Sequence, residues 1–415
     1  MKLRSVIIGL LFIAFILTPL YGSVELLSLI PSMAGMINKG MILIFKLTKD
    51  VILAGALFFF AFEVIKSKKM LRSPLVWTLL AFIVVAAYIT FHFNGFMMAA
   101  IGIRVFLPLM LVFIGAKYFD DRLFDALTII MTWIALIEYA AAVIQMFFAL
   151  PIMGSGYFGL AARPFGTFVQ PSSFAIFICM VMVMNMARDI NARGSIRSLS
   201  WVFLTVSTMF VVLSGSGTGL LGLAIIFLVY LFIFSRTPKL VKAGIVPTIA
   251  LLPVLILLSL PVLTNREDIY YSLWMRIEII NELVVSSGWS GFLIGTGIGT
   301  GSNAAVTILG NPNLKNVNDA QQFIADSLYA SVFAQVGAVF LLLFIILSLY
   351  VFWLAIKRRQ KRLVDNMAIL FVPLMLMVSF GSIILEVFPF NWIMFLLFGA
   401  VLMKKENNEV PLRNT

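Results

Sequence analysis

The stretch IADSLYASVFAQVGAVFLLLFIILSLYVFWLAIKRRQKR, residues 324–362, decides how this chain folds. From Ile324 to Ile356 Asp326 is the one charged residue, and a dense basic run starts at Lys357. As a helix the segment would be about 50 Å long, against about 30 Å of bilayer hydrocarbon. Lys357 anchors one boundary. Counting back about 20 residues reaches Gly337, so a straight helix carries Asp326 about 16 Å past the opposite boundary. On such a helix Asp326, Tyr329, Ala330 and Phe333 share one stripe. An acid beside aromatic rings suits a sugar; an Asp at a helix N-terminus is also stabilised by the dipole alone.

The rest of the chain is written in the same terms. Of 415 residues, 62% are hydrophobic and 12% charged, about half the charged fraction of a soluble domain. The net charge of +12 does not point to nucleic acid, because the basic residues fall in short runs between apolar segments. The single cysteine, Cys179, excludes an intrachain disulfide, and the single histidine, His92, leaves no basis for a histidine triad or a zinc cluster. No metal and no cofactor are expected.

Apolar runs lie near 5–21, 47–65, 74–92, 96–116, 123–150, 165–187, 199–214, 217–235, 243–262, 324–356, 367–387 and 390–403, about twelve transmembrane helices. The first is expected to stay uncleaved, and 24–46 to hold an interfacial segment. With the N-terminus inside, 22 of the 30 basic residues face the cytoplasm, seven face outward, and Arg104 lies within a span. The expectation is an all-α polytopic membrane protein, 1–415 forming a single transmembrane domain with both termini cytoplasmic. One long outer loop, 263–323, separates helices nine and ten. Within it Leu273, Ile277, Ile280 and Val284 are spaced for a helix lying on the membrane surface, and 291–318 reads as loop.

The candidate site residues are the outer polar ones. Arg163, in Arg163-Pro164-Phe165-Gly166, opposes the positive-inside bias just before a span; Arg266 and Arg276 lie in the long loop. Guanidinium forks match phosphate oxygens, although each arginine could equally serve structure. Gly295-Thr296-Gly297-Ile298-Gly299-Thr300-Gly301 lacks the strand–turn–helix context of a nucleotide loop and reads as a turn or a backbone nest for phosphate, through Gly297 and Gly299. Arg104 and Glu138 lie at mid-depth on different spans, most simply as a buried ion pair. Glu386 is placed to face an outer cavity, and His92 at the interface.

These residues resemble the O-antigen polymerase and O-antigen ligase superfamily over roughly 100–403. The resemblance is carried by Arg163-Pro-Phe-Gly166 followed by Pro171-Ser-Ser-Phe-Ala175, by the late outer loop with Arg276 and its glycine-rich end, and by Asp326-Ser327 nine residues before Gly337. In ligases that last pattern usually begins with His; Asp326 here favours a polymerase. Where a Ser-Arg pair is common, this chain has Ser214-Gly215. The resemblance implies a metal-independent glycosyltransferase on the periplasmic face of a bacterial inner membrane. It would join undecaprenyl-diphosphate-linked repeat units of O-antigen, capsule or exopolysaccharide, with a chain-length regulator and a flippase as partners. It also implies roles: Asp326 as the base for the acceptor hydroxyl, Arg163 and Arg276 on the leaving diphosphate, and Arg266, Tyr329, Gly166, Gly297 and Gly299 as substrate contacts. The alternatives are a ligase that transfers polymer to lipid A core and, in another class, a transporter of lipid or polysaccharide.

Overall fold

A computed structural model describes residues 3–28, 39–67, 74–147, 163–168, 170–193, 198–235, 288–300, 302, 327–359 and 362–402. Among them every regular element is helical. The helices are α1 Leu3–Ile16, α2 Thr18–Ser28, α3 Lys39–Ser67, α4 Pro74–Phe106, α5 Leu111–Tyr118, α6 Asp121–Phe147, α7 Pro171–Arg193, α8 Ser198–Leu213, α9 Gly217–Val229, α10 Gly288–Ile294, α11 Leu328–Lys357, α12 Leu363–Val378 and α13 Phe390–Leu402. Five described stretches are long and apolar enough to cross a membrane: Asn94–Tyr118, Asp121–Phe147, Pro171–Ala192, Gly217–Phe234 and Leu328–Lys357. The span expected at 243–262, the surface helix at 269–285, and Arg266, Arg276 and Asp326 lie outside the described residues.

Helix α7 is the axis of the bundle. Phe174 to Met184 are buried without a break, so this helix has no lipid face. It packs among α6, α8, α9 and α12, which is how a helix apolar on all sides is accommodated. Helices α5 and α13 approach still more closely. A Cβ at Gly115 would overlap the Leu396 main chain, and one at Gly399 the Val112 main chain, the small-residue contact that lets membrane helices pack without a hydrophobic drive.

Helix α4 is broken at Gly95, where φ is 82° and ψ is 173°. Phe82 and Phe106 show what the break does. On a continuous helix they would stand about 36 Å apart. Their rings are 6.2 Å apart, and both meet Phe340. The chain therefore folds back at Asn94-Gly95, and the two halves of α4 are antiparallel helices, with the turn near Asn94 where the sequence indicates it.

Helix α11 carries the same break at Gly337, with φ 76° and ψ 179°. The piece Ala338–Lys357 is about 30 Å long, one bilayer thickness. It shows lipid a broad apolar face of Leu342, Leu343, Ile346 and Leu349. The piece Leu328–Val336 is instead buried almost throughout. Phe333 packs on Phe292 of α10 with ring centroids 5.5 Å apart, and Ala334 lies in the same small cluster. The straight 50 Å helix inferred from the sequence is thus corrected. Glycine at 337 permits a left-handed backbone, and the residues before it turn into the protein instead of rising above the membrane.

Candidate functional site

The site is best built from Arg163, whose backbone the following Pro164 biases toward extended conformations. Its Nε donates to the Ser214 carbonyl at 2.8 Å and its Nη2 to the Gly215 carbonyl at 3.1 Å. Both acceptors belong to the tight turn between α8 and α9, which Ser214 and Ser216 close with their own hydroxyls. One edge of the guanidinium is therefore fixed by main-chain oxygens, which orient it without cancelling its charge.

Two polar side chains of α6 hold the turn that follows. The Gln145 amide donates to the Gly166 carbonyl and accepts from Phe165 N at 2.9 Å. Glu138 is fully buried, and each of its oxygens accepts from Thr167, one from the main-chain N–H and one from the hydroxyl, both at 2.6 Å. This corrects the ion pair expected between Arg104 and Glu138. Arg104 pairs with Asp50 of α3 at 2.6 Å, while Glu138 caps a turn. Glu138 and Gln145 were not among the residues expected to shape the site. Their signal was present: two polar residues seven apart in an apolar helix share one face.

From the Ser214–Gly215 turn, contacts lead directly to the start of α11. The Thr218 hydroxyl donates to Gly381 O at 3.2 Å. In the same 379–389 segment, Ser379 O accepts from Leu328 N at 2.9 Å and from the Ser327 hydroxyl at 3.2 Å, and Ser382 O accepts from Leu328 N at 3.1 Å. Arg163 and Ser327, the residue after Asp326, thus belong to one hydrogen-bonded belt across four chain segments. Glu386 lies half-buried in the 379–389 segment, and His92 is exposed and stacked on Tyr88.

The other expected contacts stand differently. The Tyr329 hydroxyl donates to Leu376 O at 2.6 Å and its ring packs on Phe380 at 4.7 Å, so Tyr329 anchors α11 to α12. The glycine-rich segment has its main-chain N–H groups on protein acceptors: Gly297 on Gln335 O, Ile298 on the Thr90 hydroxyl, Gly299 on the Gln335 side chain at 2.8 Å. It is packed into the crook of the α4 hairpin, where Asn94 donates to Thr296 O at 2.9 Å. In this arrangement Gly297 and Gly299 have no amide turned to a phosphate; the glycines allow backbone to approach backbone. Gly166 adopts a positive φ of 59° in the turn after Arg163.

On the other side of the α4 hairpin an apolar groove of about 480 Å³ is lined by Ala87, Tyr88, Phe91, Phe96 and Ala99. Phe96 and Tyr88 are among the most exposed apolar side chains described. Among the described residues no three His, Cys, Asp or Glu side chains gather into a metal-binding group. No family model matches the chain, and no curated protein does.

Proposed function

We propose that the chain is a membrane glycosyltransferase that polymerises oligosaccharide repeat units carried on undecaprenyl diphosphate, working on the periplasmic face of the bacterial inner membrane. About twelve spans, with the N- and C-termini cytoplasmic and 263–323 outside, place Arg163, the 379–389 segment and Ser327 on that face. The observation that supports the reading is the belt from Arg163 to Ser327. It joins a guanidinium oriented by two carbonyls to the residue that follows Asp326.

The chemistry is a single displacement. The acceptor hydroxyl attacks the anomeric carbon of the donor, the bond from that carbon to the diphosphate oxygen breaks, and the diphosphate leaves with the electron pair. Arg163 and Arg276 stabilise the charge that develops on it. Asp326 takes the proton of the attacking hydroxyl. Base and leaving group lie on opposite faces of the sugar, the arrangement that inverts the anomeric centre. Positioned cations serve a diphosphate leaving group without a metal, so activity should persist in a chelator.

A second reading, transport of a lipid-linked glycan, is favoured by the interruption of α11 and by the buried polar stripe Ser327, Ser331 and Gln335 beside it. Purified protein incubated with defined lipid-linked repeat units separates the two. Polymer ladders are expected. Single transfer to a lipid A core acceptor would make the enzyme a ligase, and translocation without new glycosidic bonds would establish transport.

A further inference from the structure

A second cluster of polar groups lies beside the Arg163 belt and has no part in the chemistry above. It is formed by Tyr21 of α2, Lys49 and Asp50 of α3, Arg104 of α4 and Phe388 of the 379–389 segment. Arg104 meets Asp50 end-on through Nε at 2.6 Å. Neither of its Nη groups has an acceptor among the described residues. The Tyr21 hydroxyl is buried, has no hydrogen-bond partner among the described residues, and lies in the field of the Asp50 carboxylate. The Tyr21 ring packs edge-on against Phe388 at 5.4 Å, and Lys49 Nζ sits 5.3 Å from the same ring. Tyr21 and Lys49 thereby meet at one aromatic side chain, and Asp50, whose carboxylate acts on Tyr21, carries Arg104.

Their place makes this costly. Counted from the inner ends of their spans, Arg104 lies about two helical turns below the outer hydrocarbon boundary and Asp50 about one. Charges at such depth are expensive and mark ligands or ion pathways by default. A stabilising pair alone would use the guanidinium fork side-on and leave no phenol unsatisfied. A tetrahedral phosphate has the oxygens to engage the Nη groups, the phenol and the ammonium together. The neighbours Val51 and Ile103 are exposed apolar residues, so the approach to the cluster runs through lipid.

The cluster also adjoins the first site. Gly22, next to Tyr21, lies so close to the Thr167 main chain that a Cβ would overlap its carbonyl. Thr167 belongs to the turn that follows Arg163. Resting on the polymerase reading, which requires two lipid-linked substrates at once, we propose that Tyr21, Lys49 and Arg104 bind the diphosphate head group of the acceptor lipid, while the Arg163 site takes the donor.

Native mass spectrometry of the full-length protein in detergent, titrated with a polyprenyl diphosphate, counts the sites without any need for polymer synthesis. Wild type should bind two equivalents. Tyr21→Phe with Lys49→Gln should keep one and weaken the other at least about tenfold, as loss of one or more charge-assisted hydrogen bonds requires. Both changes leave the Arg104–Asp50 pair intact. Arg163→Ala should also keep one equivalent, and the two sets of changes together should keep none. Polyprenyl alcohol should not fill the second site, and inorganic pyrophosphate should fill it more weakly than the lipid does. Two equivalents at wild-type affinity in the cluster variant would overturn the proposal, as would loss of both in Arg163→Ala. Pyrophosphate bound as tightly as the lipid would identify a free-anion site instead. Two equivalents in Arg163→Ala with one in the cluster variant would support this site and sink the donor role of Arg163.

Discussion

Arg163 and Arg188 flank the same buried helix and are held by different chemistry. Arg188, near the end of α7, pairs with the Asp125 carboxylate at 2.6 Å, with both side chains about two-fifths exposed. Arg163, before the start of α7, is oriented by the carbonyls of Ser214 and Gly215. A carboxylate neutralises the guanidinium it pairs with, whereas carbonyls orient a guanidinium through its hydrogen bonds. The surroundings follow suit. Beyond Arg188 a second ion pair, Lys117 with Glu63, joins helices, whereas the belt that starts at Arg163 runs through serine, threonine and main-chain contacts, with the Arg104–Asp50 pair beside it. A guanidinium oriented by carbonyls can meet an anionic ligand in a fixed geometry, whereas an ion pair holds helices together.

The contrast breaks most completely if the ends are misassigned. Cysteines placed at 193 and 360 should react with an impermeant thiol reagent only from the cytoplasm, and one at 313 only from outside; labelling of 360 from outside would invert the whole reading. Next in size is Asp326. Asp326→Asn should lower the polymerisation rate by about 10²–10⁴-fold, the range for loss of a general base, with donor binding intact. Asn caps a helix about as well as Asp, so near-normal activity would demote Asp326 to a cap and move the search to Glu278, Glu282, Asp319 and Glu386.

Arg163→Ala and Arg276→Ala should each cost about 10²–10³-fold, as removal of one preorganised donor does elsewhere. Lys should restore only part, lacking the planar fork. Full activity in both alanine variants would remove the diphosphate clamp. Gln145→Leu should destabilise the protein by about 1–3 kcal/mol, because Phe165 N and Gly166 O lose their buried partner. Its rate should fall too, since the turn that aims Arg163 is loosened; a stability loss with unchanged rate per folded molecule would separate the turn from the site. Smallest is the paired change Arg188→Gln with Asp125→Asn. A half-exposed pair contributes at most about 1 kcal/mol, and polymer should be unaffected. A large loss of activity there would abolish the distinction between the two ends.

Much of the fold is legible in the residues, and the site only in part. The turn near Asn94 and the span ending at Lys357 are visible because apolar length and basic flanks are local properties. Arg163 stands out in the sequence because, on the expected topology, it opposes the charge bias. What stays hidden is which partner each polar group meets. Arg104 and Glu138 invite pairing by depth, yet one faces α3 and the other a loop. Tyr329 reads as a sugar platform until its hydroxyl is found on Leu376. The glycine-rich segment reads as a nest until Thr90 and Gln335 occupy its amides.

By itself the sequence determined helical structure and membrane character, because partition into hydrocarbon sums over neighbouring residues and needs no knowledge of the rest of the chain. Tertiary structure alone decided the meaning of the breaks. Gly95 and Gly337 have nearly the same backbone angles. After Gly95 the chain is long and apolar enough to cross a membrane and leaves Phe96 and Met97 exposed. Before Gly337 nine residues are too few to span, and Ser331 and Gln335 need partners that lipid cannot provide, so that piece is buried against α10 and α12. A glycine licenses a turn, but only the surfaces available on either side fix where the turned segment goes.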